Sequence, residues 1–109
     1  MSKDWLTMTA ADLGRAIGAG DIDPVALADA YFNAIKSHDL TPRIYARLTV
    51  ERAMAEARAA AHRSKSGHRL SPLDGVPVSW KDLYDTAGVA TEAGSALLAG
   101  RVPDRDAQV

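Results

Sequence analysis

Lys81 is the residue with the clearest chemical potential, because it closes a short apolar run and is followed directly by an aspartate. Residues 75–82 read Gly-Val-Pro-Val-Ser-Trp-Lys-Asp. An ammonium group is costly to bury, so a lysine here either ends a strand in solvent or is a chemical group tuned by its surroundings. By spacing alone, the solvated strand end is the default interpretation, and a catalytic lysine is the sharper alternative.

Ser79 shares a strand face with Lys81, which raises the alternative of a local Ser–Lys dyad. Residues i and i+2 lie roughly 7 Å apart along a strand, beyond the usual reach between nucleophile and base, although the flexible lysine stem could partly compensate. The dyad is therefore the weaker hypothesis. Of the two flanking carboxylates, Asp85 is interpreted as surface charge.

Other chemical motifs are weak, and neither a metal nor a cofactor site is predicted. The histidines lie near predicted helix ends or in polar loops: His38, His62 and His68. Neighbouring Arg and Lys side chains disfavour a divalent ion there. The first three glycines lie in and after a helix, so they do not form a phosphate cradle. Residues 94–96 (Gly-Ser-Ala) lack the second glycine of a serine elbow.

Composition indicates a soluble, cytoplasmic chain. Thirteen basic and fourteen acidic residues leave a net charge of −1, which gives no footprint for nucleic acid or for an anionic membrane. There is no cysteine, so disulfides and thiolate metal sites are excluded. Residues 1–6 carry an early acid and do not resemble a signal peptide, and no apolar run approaches membrane-spanning length.

Local signals predict the elements that must position Lys81. Thr9, Asp23-Pro24 and Thr49 are typical helix starts. In order, the predicted elements are helix 10–19, helix 24–37, strand 44–48, helix 50–64, turn 72–75, strand 76–81, turn 86–88 and a short helix within 91–98. Helix 50–64 carries an apolar stripe: Val50, Ala53, Met54, Ala57, Ala60 and Ala61.

A strand, a long helix and a second strand predict one βαβ crossover, and hence part of an α/β sheet. Two strands make a poor sheet and expose both edges. The predicted fold class is therefore α/β, incomplete on its own, with residues 44–48 and 76–81 as neighbouring strands and helix 50–64 packed on them.

Residues 72–88 (Pro-Leu-Asp-Gly-Val-Pro-Val-Ser-Trp-Lys-Asp-Leu-Tyr-Asp-Thr-Ala-Gly) resemble the lysine motif of the amidase signature family. The glycine, the proline, the Lys-Asp pair, the threonine and the following glycine stand where that family has them. Residues 91–95 (Thr-Glu-Ala-Gly-Ser) are similar to its Thr-x-x-Gly-Ser segment, and residues 13–61 to its first helices and strand. Trp80 departs from the usual small or aliphatic residue, which should affect packing alone.

The resemblance implies that residues 1–109 are the N-terminal portion of an amidase domain, a mixed sheet flanked by helices. Members of the family cleave or transfer amide groups with a serine nucleophile, a second serine after a cis peptide, and a lysine. Lys81 takes the lysine role by this match: it begins neutral, accepts the proton relayed through the bridging serine, and returns it to the leaving amine. Asp82 would orient the strand end. The implied substrate is a small-molecule amide.

None of the seven serines lies in the Gly-Ser-rich context of the family's nucleophile, so the chain is expected to be inactive alone. The main hypothesis is a hydrolase of amide bonds to which this segment contributes the lysine base. The alternatives are a truncated remnant acting as an interaction or complementation module, and part of the A subunit of a tRNA-dependent amidotransferase. Residues 81–86 slightly favour a free-standing amidase. Open strand edges predict self-association, including a homodimer.

Overall fold

The structure is a computed structural model that describes residues 2–109. It divides into two compact units, Met1–Pro77 and Val78–Val109. The first unit contains α1 (Ser2–Trp5), α2 (Ala10–Gly18), α3 (Pro24–Ser37), α4 (Thr41–Ile44) and α5 (Val50–Ser66). The second consists of turns and loops around one short 3₁₀ helix, Ala96–Leu98.

Side-chain caps set the starts of α2 and α3, as predicted. The Thr9 hydroxyl accepts the amide of Asp12 at 3.1 Å, and the Asp23 carboxylate accepts the amide of Ala26 at the same distance. Pro24 occupies the first turn of α3, where its missing N–H costs nothing. Each cap satisfies an amide that the helix itself cannot bond.

Helix α5 follows the predicted stripe but differs at its start. Ala57, Ala60 and Ala61 are buried, and these small side chains allow α5 to pack closely on α3. Thr49 stands at the cap position without a side-chain hydrogen bond, so the predicted cap is wrong in that respect. The helix runs to Ser66 and ends at Gly67, whose φ of 76° favours glycine.

The core of the Met1–Pro77 unit lies between the early helices. It is formed by four buried side chains: Leu13, Ile17, Ile22 and Leu27. Half-buried apolar side chains pack around them, among them Trp5 and Val76. Val76 is the first residue after the turn at 72–75, so the predicted turn leads directly into the core.

The predicted strands do not form. Among residues 2–109 the structure contains no β-strand, only an isolated antiparallel bridge between Thr86 and Val89. The prediction for residues 44–48 is wrong because Ile44 ends a short helix that has Pro42 in its first turn, and the Tyr45 amide bonds the Thr41 carbonyl at 3.0 Å. Residues 45–48 have no regular secondary structure.

Residues 76–81 have no regular secondary structure, so the second predicted strand is also wrong. A strand is held by a neighbour, and the described part of the chain supplies none. The mixed sheet and its βαβ crossover are therefore absent from residues 2–109. The helix predicted within 91–98 shortens to Ala96–Leu98, because Ala93 and Gly94 both adopt positive φ, 51° and 66°.

None of the helices described between residues 2 and 109 combines the length and apolar character needed to cross a membrane.

Candidate functional site

The turn at residues 72–75 precedes the lysine and is fixed by a nearly buried carboxylate. Asp74 accepts Arg63 Nε and Nη2 on its two oxygens, both at 2.8 Å, and the Leu70 amide at 3.1 Å. The hydrogen bonds from Arg63 are the main cause that lowers the pKa of Asp74 to about 2, against the opposing effect of burial. The carboxylate therefore remains charged at neutral pH and holds the turn against the end of α5.

A second arginine binds the same turn from the side of α2. Arg69 Nη2 donates to the carbonyls of Gly14, Pro72 and Asp74 at 3.0, 3.2 and 3.2 Å. Gly75 closes the turn with φ of 99°, a conformation that side chains rarely adopt. The predicted turn is thus confirmed, and it is anchored on both sides.

Lys81 lies in the Val78–Val109 unit with an exposed side chain. Its carbonyl accepts the amides of Leu83 and Tyr84 at 2.7 and 3.2 Å, so the chain turns immediately after the lysine. The rings of Trp80 and Tyr84 meet edge to face, with centroids 6.0 Å apart and planes at 67°. Aromatic side chains on both sides of Lys81 are therefore in contact.

Asp82, which follows Lys81 in the motif, accepts a hydrogen bond from residues 91–95, the second segment that resembles the family. Its Oδ1 accepts the amide of Glu92 at 3.1 Å. Glu92 Oε2 in turn accepts the amide of Gly100 at 2.6 Å. Asp82 thus joins the turn after Lys81 to residues 91–100, and the segment whose strand end it was expected to orient has no regular secondary structure.

Asp85, interpreted from the sequence as surface charge, is partly exposed and forms an ion pair. Arg101 Nη1 and Nη2 donate to its two oxygens at 2.7 and 2.9 Å. This contact lowers the pKa of Asp85 and raises that of Arg101. The backbone adds two further links, because Ala107 donates to the Asp85 carbonyl at 2.9 Å and Thr91 to the Arg101 carbonyl at 3.0 Å. The pair therefore closes the loop from residue 85 to residue 101.

The weaker sequence candidates are not brought together. Ser79 and Lys81 are both exposed, and within residues 2–109 no hydrogen bond joins the Ser79 hydroxyl to the lysine amine. His38 Nδ1 accepts the Leu40 amide at 3.1 Å, which is a local turn contact. In the described part of the chain, no three His, Cys, Asp or Glu side chains form a group that could hold a metal ion.

Sequence reasoning missed both anchoring arginines. Arg69 lies between the predicted helix 50–64 and the predicted turn 72–75, yet it is half-buried and reaches the Gly14 carbonyl across 55 residues of sequence. No local pattern encodes such a contact. The available signal was the pair of glycines at positions 14 and 18, four residues apart in α2, since a helix face without Cβ atoms admits another backbone closely.

Comparison with known proteins decides the family. The family model described as Amidase matches residues 26–109, which include the whole lysine motif. The chain belongs to the amidase signature family. The resemblance seen in the sequence is thereby confirmed. No solved structure matches the chain.

Similar members of the amidase family are amidotransferase subunits. The chain is 45% identical over 104 residues to the A subunit of the glutamyl-tRNA(Gln) amidotransferase of Chloroflexus aurantiacus, covering 95% of this chain. It is 43% identical to that of Chloroflexus aggregans over 96% of the chain, and 34% identical to that of Streptomyces coelicolor over 98%. The chain spans only about a fifth of the length of these relatives, 21%, 21% and 22% respectively.

Proposed function

We propose that this chain is the N-terminal portion of an amidase-family subunit of the glutamyl-tRNA(Gln) amidotransferase type, and that it contributes the lysine base. The observation that carries the proposal is the 45% identity over 104 residues to such a subunit. Only five residues of the chain lie outside that match, so Lys81 lies within it. This identity favours the amidotransferase hypothesis, one of the alternatives named from the sequence, over a free-standing hydrolase.

Lys81 would act as a neutral amine. It would accept the proton that leaves the nucleophilic serine through the bridging serine, and then return that proton to the departing amine. Both serines and the oxyanion donors would come from outside residues 1–109. The motif match supports this role. Lys81 is exposed here, so the surroundings that tune it would come from outside residues 1–109.

The missing sheet is proposed to form in the longer protein. Val78 and Trp80 are 72% and 59% exposed, although both side chains favour strands. An irregular segment with such side chains is suited to pairing with a strand from the rest of the protein, which in the relatives is about four-fifths of the length.

We also propose protein partners, an amide substrate and a cytoplasmic location for the whole protein.

A hybrid protein tests the proposal. Residues 1–109 replace the matching segment of the Chloroflexus aurantiacus A subunit, and the other subunits of that enzyme are supplied. We expect ammonia release from amides and amide formation on glutamyl-tRNA(Gln) within about tenfold of the parent enzyme, since 45% identity should preserve the lysine's placement.

Two controls define the result. The same A subunit without the segment, and residues 1–109 alone, should both be inactive, since the loss of even one oxyanion donor costs a factor on the order of 10²–10³. A hybrid that folds and assembles but lacks both activities would overturn the proposal, and would favour an interaction module instead.

A further inference from the structure

Arg69 links a helix to the turn that leads toward the lysine. Its Nη2 bonds one carbonyl of α2, that of Gly14, and two carbonyls of the turn, those of Pro72 and Asp74. A hydrogen bond from a charged donor is worth more than one between neutral groups. One half-buried side chain therefore fixes the distance between α2 and the turn.

The surface of α2 is shaped for this contact. A Cβ at position 14 would lie 2.1 Å from the Pro72 oxygen, and a Cβ at position 18 would lie 2.6 Å from Arg69 Nη1. Both positions are glycine, so the turn and the guanidinium can approach the helix backbone. The arginine and the two glycines form one fitted contact.

The turn is also held by Arg63, through the Asp74 carboxylate. Arg69 differs from Arg63 because its Nη2 bonds backbone carbonyls, and its Nε is buried without a hydrogen-bond partner. Leaving a buried N–H unpaired costs free energy. The side chain nevertheless remains at the place where it can reach both α2 and the turn.

We propose that Arg69 is a positioning residue for the amidase reaction of the longer protein. It fixes the turn at residues 72–75, and thus the point from which the chain continues to Lys81 six residues after Gly75. The catalytic consequence rests on the proposed function, whereas the structural consequence does not. Two experiments separate them.

The first experiment measures amide hydrogen exchange in the chain 1–109, comparing Arg69→Met with Arg58→Met. Arg58 is an exposed arginine on α5 and serves as the matched control. The amides of Leu70 and Val76 bond acceptors of the turn. In Arg69→Met we expect these two amides to exchange about tenfold faster or more, while the amides of α3 keep their rates. Unchanged turn amides, or an equal rise in α3 from global unfolding, would overturn the proposal.

The second experiment uses the hybrid amidotransferase. Arg69→Met should lower kcat by about tenfold to a hundredfold and leave KM within about twofold, because a displaced base affects the chemical step. Arg58→Met should change neither. If Arg69→Met fails to fold, Arg69→Lys is the test variant. Lysine keeps the positive charge and three N–H donors on a shorter side chain, so the kcat should be intermediate.

The outcomes remain distinguishable. Faster exchange in the turn with unchanged kcat would overturn the positioning role. An unsubstituted hybrid without activity would overturn the proposed function and with it the catalytic consequence, while the exchange measurement would still decide whether Arg69 holds the turn.

Discussion

Arg63 and Asp74 form a two-point ion pair, in which Nε and Nη2 of the guanidinium each donate to one carboxylate oxygen at 2.8 Å. The pair joins the last turns of α5 to the turn at residues 72–75. The Asp74 side chain is only 7% exposed and that of Arg63 is 30% exposed. Solvent and salt therefore screen this pair less than an ion pair on the open surface.

The Arg63–Asp74 pair predicts acid sensitivity of the Met1–Pro77 unit. The folded pKa of Asp74, about 2, lies below its ordinary 3.8, so the unfolded chain binds a proton more readily between these values. The stabilisation, roughly 2 kcal/mol, is fully present above about pH 5 and is lost as the pH falls from about 4 to 2. Urea unfolding followed by Trp5 fluorescence, in a Trp80→Phe background, measures it.

Asp74→Asn isolates this contribution. It should lower the free energy of unfolding by roughly 2 kcal/mol at pH 7 and by little near pH 2, because the wild-type carboxylate also loses its advantage there. Asp39→Asn, at an exposed carboxylate outside the pair, is the control. An Asp74→Asn loss that is the same at both pH values would contradict the assigned cause.

Gly14→Ala is predicted to destabilise the chain even though alanine is the better helix former by about 1 kcal/mol. The new Cβ would lie 2.1 Å from the Pro72 oxygen, so α2 and the turn must separate, at a cost of about 1–3 kcal/mol. Ala11→Gly, at an exposed position of the same helix, gives the propensity effect alone. Thermal unfolding would refute the contact if Gly14→Ala raised the Tm.

Arg101→Met should loosen the Val78–Val109 unit. The substitution removes the two bonds to Asp85 that close the loop from residue 85 to residue 101. We expect faster exchange of the Thr91 and Ala107 amides, which bond carbonyls of this same pair. Arg105→Met is the matched control because Arg105 is 89% exposed. Equal exchange in both variants would show that the loop does not depend on the pair.

The chain alone is predicted to self-associate, because large apolar side chains without a covering partner remain in water. Leu97 is 96% exposed, and Val78 and Trp80 are also uncovered. Sedimentation velocity should show species heavier than a monomer, reduced by Val78→Lys with Leu97→Lys. Ala55→Lys, on the exposed part of α5, controls for added charge. A wild-type monomer that unfolds cooperatively would contradict this prediction.

Helix starts could be predicted from the sequence because their causes are local. The Thr9 and Asp23 side chains cap amides three residues ahead, so neighbouring residues contain the whole interaction. Strands could not be predicted in the same way. The apolar pattern of residues 76–81 is suited to a strand, but a strand also needs a neighbour that residues 2–109 do not provide.

The candidate site likewise combines local features, which the sequence predicts, with tertiary contacts, which it does not predict. A motif identifies Lys81, and the turn at residues 72–75 follows from its Asp-Gly pair. The contacts that fix that turn come from Arg63 and Arg69, and the latter reaches a helix carbonyl 55 residues earlier. Local patterns therefore predict the lysine and the turn that precedes it, whereas only the tertiary structure shows which side chains hold that turn.

The central claim, that Lys81 acts as a base, is tested most directly by Lys81→Arg in the hybrid amidotransferase. Arginine keeps the positive charge but cannot be deprotonated in a protein, so it cannot accept the serine proton. Turnover should fall by a factor on the order of 10²–10⁴, as it should for Lys81→Ala, with folding and assembly of the enzyme unchanged. A folded, assembled Lys81→Arg hybrid with near-normal turnover would contradict the claim.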